Sequence, residues 1–159
     1  MLASRVANDR AAVPPITPAT YIRLRREAAG KSQLAVARDL YAIKIRRPVG
    51  DKRPRRLFDS VDQALAMIQQ LEVPGARAKY RPVIDVLGGV FPLDADVYHQ
   101  LAEEPADRHP VVCPGCGCSL SDPCTGSEGV CTMSLGTTCS RCIDDAAAGN
   151  LKTGRRLAA

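Results

Sequence analysis

The placement of cysteine constrains this chain more than any other feature. All seven cysteines fall between Cys113 and Cys142, and none occurs in the preceding 112 residues. In order they read Cys113-x2-Cys116-x-Cys118-x5-Cys124-x6-Cys131-x7-Cys139-x2-Cys142. A two-residue gap lets both thiolates of a knuckle converge on one ion, and two knuckles complete a tetrahedral site. Cys113, Cys116, Cys139 and Cys142 are therefore read as ligands of Zn2+. Gly115 and Gly117 supply the backbone freedom that the first knuckle needs. The segment 113–142 is too short and too poor in aliphatics to bury a core of its own. A structural ion, contributing about 10–16 kcal/mol in short peptides, would fold it.

Three thiols remain. Cys118, Cys124 and Cys131 are either structural, or form a second site with His109 as fourth ligand, since seven cysteines and one histidine make eight donors. An iron–sulfur cluster is the other use of four cysteines, and spacing alone leaves it open. Zinc is preferred because nothing in the chain points to electron transfer. Disulfides are disfavoured by the compartment inferred next.

No apolar run approaches the ~20 residues that span a bilayer. Arg5, Asp9 and Arg10 surround a weakly apolar stretch without the core of a secretory signal. The expectation is a cytoplasmic protein without membrane contact. Its charge is unevenly spread. Residues 1–81 hold 17 Lys/Arg against 7 Asp/Glu, residues 82–110 hold 1 against 6, and residues 111–159 hold 4 of each. A basic front half points to a polyanionic partner, although solvated lysines and arginines on a helical surface give the same count.

Residues 1–16 mix small and charged side chains and read as a loosely held arm. Thr17-Pro18 starts a helix that Gly30 ends, and Ser32 caps a second helix to about Tyr41, with Leu34, Ala37 and Tyr41 on one stripe and Val36 and Leu40 beside it. The insertion 42–58 carries Lys44, Arg46, Arg47, Lys52, Arg53, Arg55 and Arg56 against one acid, Asp51. Pro48, Gly50 and Pro54 break regular structure there, so a basic loop is expected, with a short strand at its start. Ser60 and Gln63 form a capping box for a third helix that buries Val61, Ala64, Leu65, Ile68 and Leu71 and stops at Pro74-Gly75. A fourth helix, starting near Arg77 or Pro82, runs to Val90 and buries Val83, Ile84, Leu87 and Val90. A fifth, capped by Asp94, buries Val97, Tyr98 and Leu101. The expected fold class is mainly α: a small helical bundle over 17–104, a polar linker at 105–112, an irregular metal-stapled module at 113–142 and a tail at 143–159.

The run Arg23-Leu-Arg-Arg-Glu-Ala-Ala-Gly30, then Ser32, Val36-Ala37 and Leu40, resembles the opening of Xre-type (phage-repressor-like) helix-turn-helix domains. Ala66-Met-Ile68, followed by Val83-Ile84 and Leu87, is similar to the recognition helix of that family and the helix behind it. Lys31 stands where the family has an apolar residue, and 19 residues separate Leu40 from Ser60 where it has a tight turn. The resemblance implies that the third helix enters the major groove of double-stranded DNA. Gln63, Gln69 and Gln70 would then be base readers and the basic insertion a phosphate contact. Arg23, Arg25 and Arg26 are expected instead to hold backbone groups or acids of the protein. The cysteine segment also resembles a Cys-x2-Cys-Gly-Cys … Cys-x2-Cys module that recurs in small phage and prophage proteins, with Met133 where Trp is common. That likeness supports metal binding and nothing more.

A DNA-binding transcriptional regulator that is not an enzyme is the leading expectation, with a second copy of itself or the transcription machinery as further partners. A protein-binding adaptor for RNA polymerase or a phage component is the alternative. A Cys-x2-Cys redox enzyme would call for a βαβ setting that the pattern lacks. No nucleophile elbow, phosphate loop or His-Glu-x2-His motif is present.

Overall fold

Five helices are nucleated by the local signals just described. A computed structural model of the chain describes residues 15–45, 55–126, 129–133 and 137–149. Helix α1 (Pro18–Ala28) starts at Thr17, whose side chain accepts the Thr20 amide, and α2 (Gln33–Ala42) starts at Ser32, which accepts the amide of Ala35. Between them Gly30 adopts φ +69°, the left-handed conformation that a side chain would disfavour. Helix α3 (Val61–Leu71) is capped by Ser60, and the side chain of Gln63 accepts the Asp59 amide in return. Helices α4 (Arg81–Gly88) and α5 (Ala95–Glu103) follow, α5 capped by the Asp94 carboxylate on the amides of Asp96 and Val97. The fourth helix thus begins at Arg81, beside Pro82 in its first turn.

One apolar core joins all five helices. Tyr21 and Ile22 of α1, Val36, Ala37 and Leu40 of α2, Ala64 and Ile68 of α3, and Ile84 and Leu87 of α4 are completely buried, and Val97, Tyr98 and Leu101 come in from α5. Burying each large aliphatic side chain contributes about 1.5–3 kcal/mol. The stripe of α2 is rotated from the expected one. Leu34 is exposed and Tyr41 half-buried, because α3 packs over the Val36, Ala37 and Leu40 side of the helix. Helices α2 and α3 form the most extensive helix pair, and each contributes a fully buried alanine, Ala37 and Ala64, small enough for close approach.

The basic insertion is closed at its base. Strands β1 (Lys44–Ile45) and β2 (Arg55–Arg56) pair antiparallel, Lys44 opposite Arg56 and Ile45 opposite Arg55, so the chain leaves α2 and returns to α3 at one place. The Arg56 guanidinium lies 4.0 Å from the centre of the Tyr41 ring, which accounts for the half-burial of that tyrosine. Arg46, Arg47, Lys52 and Arg53 lie outside the described residues.

The segment read as a linker carries a 3-10 turn, Ala106–Arg108, and then places Val112 in the helical core. Beyond it come a short antiparallel pair, β3 (Thr125–Gly126) with β4 (Gly129–Val130), and helix α6 (Ser140–Ala147). Helix α6 crosses the position where the cysteine module was expected to give way to a tail. Ala146, Ala147 and Ala148 favour the helix, and Gly149 at φ +68° ends it. No helix among the described residues is long and apolar enough to cross a membrane.

Candidate metal centre

The first knuckle is a tight turn held by its own backbone. The amide of Cys113 donates to the Cys118 carbonyl at 2.8 Å and that of Gly117 to the Cys113 carbonyl at 2.8 Å, while Val112 and Ser119 form a bridge on either side. The second knuckle is the start of α6: Cys139 is its N-cap and Cys142 lies one turn on. It is held by a bridge between Met133 and Cys139 and by the Ser140 amide on the Thr132 carbonyl at 2.8 Å. These two turns face each other. The sulfurs of Cys113, Cys116, Cys139 and Cys142 all lie within 4.8 Å of one another, and all four residues are buried. Gly115 is required at this junction, because a Cβ there would come within 2.8 Å of the Cys142 sulfur.

A second set of four overlaps the first. Cys116, Cys118, Cys124 and Cys139 are also buried with their sulfurs mutually within 4.8 Å. Several separations are close to the ~3.8 Å edge of a tetrahedron with metal–sulfur bonds of about 2.3 Å. Cys116 to Cys139 is 3.6 Å, Cys124 to Cys139 is 3.8 Å and Cys116 to Cys124 is 4.0 Å. Cys131, half-buried, lies 3.6 Å from the sulfur of Cys118 and belongs to neither set. His109 is not brought to the thiols: its Nε2 is 2.9 Å from the Glu104 carbonyl, and its ring lines a separate cleft with Ile16, Leu101 and Val111. The turn at Ala106–Arg108 directs it there, so it is no fourth ligand of a second site.

Electrostatics within the cluster follow from packing thiols against one another. Hydrogen bonds from Cys116, Cys118 and Cys142 hold the Cys113 thiol far below its ordinary range, assisted by the Cys139 amide 3.4 Å from its sulfur. Cys118 and Cys142, crowded against Cys113 and Cys116, are pushed up correspondingly. Burial raises Cys124 to about 11. The donors are soft, buried and close, which suits a thiophilic ion such as Zn2+ and gives little to a hard one.

The cluster is fixed to the helical bundle through α1. Gly117, at φ +76°, lies so close to that helix that a Cβ would meet Arg25 Cδ at 3.0 Å and Leu24 Cβ at 3.1 Å. Arg25, only 2% exposed, donates from Nε to the Pro92 carbonyl at 2.9 Å and from Nη2 to the Asp122 carboxylate at 2.5 Å. Ser121 adds a hydrogen bond to the Asp94 carboxylate at 2.9 Å. Arg26 is likewise turned inward, in a two-pronged pair with Glu72 that Gln33 also joins. The hydrogen bonds to Glu72 raise the Arg26 pKa further. Asp122 and Asp94 as docking acids were not legible in the sequence, where only the surplus of arginine in α1 hinted at internal partners.

Of the residues named as DNA contacts, Lys44, Arg56, Gln63, Gln69 and Gln70 are exposed, with Arg56 on Tyr41 and Gln63 engaged as a helix cap. The backbone of Arg55 pairs in β2. No family model matches the chain, and comparison with curated proteins and with solved structures gave no match.

Proposed function

We propose that this protein is a phage-type regulator that binds double-stranded DNA through its basic helical bundle, with a thiolate-bound metal module as a structural appendage. The observation that carries this reading is the closed hairpin root between α2 and α3. It joins the most basic stretch of the chain to the most closely packed helix pair. The cations of α1 nearest the core, Arg25 and Arg26, are neutralised by Asp122 and Glu72, so the remaining positive charge belongs to the insertion and the outer surface. In this reading the insertion grips phosphates, and Gln69 and Gln70, exposed on the last turn of α3, contact base edges. The metal centre folds residues 113–142 and takes no part in chemistry.

Fluorescence anisotropy with a random-sequence duplex tests the reading. Affinity should fall steeply with salt, and Arg53→Ala, Arg55→Ala and Arg56→Ala together should reduce the slope of log K against log salt by about 2.7, at about 0.9 per phosphate contact. No binding in dilute buffer, or an unchanged slope in the triple variant, overturns it. A second reading, an adaptor for transcription machinery or a phage component, is favoured by Leu120, Val130 and Ile143. These apolar side chains are exposed on the cysteine module.

A further inference from the structure

We propose that six cysteines hold two thiophilic divalent ions in a single cluster, with the sulfurs of Cys116 and Cys139 bridging both. Cys113 and Cys142 complete one tetrahedron, and Cys118 and Cys124 complete the other.

The two buried sets of four share two members, Cys116 and Cys139, whose sulfurs are 3.6 Å apart. Two tetrahedra with a common edge need six donors, whereas two separate tetrahedra need eight. Eight are not assembled here. Of the residues that would make up that number, His109 is held on the Glu104 carbonyl beside Leu101, and Cys131 belongs to neither set. A single ion on Cys113, Cys116, Cys139 and Cys142 would leave Cys118 and Cys124 as buried thiols packed against its ligands. Six thiolates and two divalent ions carry a net charge of −2. A cavity of about 340 Å³ lined by Cys116, Cys124 and Cys142 is also lined by Arg141 and Asp145 and by Arg25, which Asp122 already pairs, so Arg141 is the cation this cavity offers toward that charge. The Cys139 amide, 3.4 Å from the Cys113 sulfur, adds a backbone dipole.

The test uses the full-length reduced chain and the metals themselves. Titration with Zn2+ or Cd2+ should end at two ions per chain. X-ray absorption of the zinc form should contain a metal–metal vector of roughly 3 Å, from bonds of about 2.3 Å across the shared pair. In the 113Cd form, the β-protons of Cys116 and Cys139 should couple to both cadmium resonances and those of the other four ligands to one. Cys131→Ser should retain both ions, Cys124→Ser should retain one, and Cys116→Ser should lose tight binding of both. One ion in the unaltered chain, two ions without a metal–metal vector, an iron–sulfur chromophore, or loss of an ion in Cys131→Ser overturns the cluster. The measurements on the unaltered chain stand even where a variant does not fold, and none depends on whether the protein binds DNA.

Discussion

Removing the Asp122 carboxylate isolates the force that holds the cysteine module on the helices. The pair it forms with Arg25 is asymmetric: the arginine side chain is 2% exposed and the aspartate 23%. Truncating one partner of a buried pair costs about 3–5 kcal/mol, because a desolvated charge is left without compensation. Arg25 would keep its bond to the Pro92 carbonyl, and Asp122 is partly solvated, so the lower end applies. Asp122→Ala is therefore expected to destabilise the chain, measured in the presence of Zn2+, by about 3 kcal/mol. With a urea dependence near 2 kcal/mol per M, that lowers the midpoint followed by far-UV circular dichroism by about 1.5 M. Arg25→Met combined with Asp122→Ala removes both charges and should recover to within about 1 kcal/mol of the parent, about 2 kcal/mol more stable than Asp122→Ala alone. A midpoint shift below about 0.5 M for Asp122→Ala, or a double variant no more stable than that single one, would refute docking by this pair.

Three other outcomes are expected. Gly115→Ala should weaken metal binding by about tenfold or more, measured by competition with a chromophoric chelator, because the added methyl meets the Cys142 sulfur at 2.8 Å. Tyr21→Phe should cost about 1–2 kcal/mol in urea unfolding, since the fully buried hydroxyl accepts the Asp94 amide, 3.1 Å away. Chelation under reducing conditions should raise amide exchange across residues 113–142 far more than across α1 to α5, which lose only what docking through Asp122 contributes. Those helices share an apolar core of their own, and the cysteine segment is packed chiefly around sulfur. Equal loss of protection in both parts would show that the helices depend on the metal as well.

Local chemistry was the legible part of the fold. Thr17, Ser32, Ser60 and Asp94 cap helices through contacts within three residues, and Gly30 ends one by its own backbone preference. The candidate site was legible to the same depth. Knuckle spacing brings Cys113 to Cys116 and Cys139 to Cys142 because a two-residue turn does so by itself. Helix α6 could have been found from its alanine run and Gly149, but cysteine at the N-cap offers no capping oxygen to mark its start.

The amino-acid order alone determined that five helices would form, where the four capped by Thr17, Ser32, Ser60 and Asp94 would begin, and that a cluster of thiols would follow them, since each depends on neighbours within about one turn. Only the tertiary structure decided that Cys116 and Cys139 belong to both sets of four, that His109 faces a different cleft, and that Arg25 reaches Asp122 across 97 positions. Those outcomes depend on how separate turns meet in space, and burial and charge pairing between distant residues leave no periodic trace along the chain.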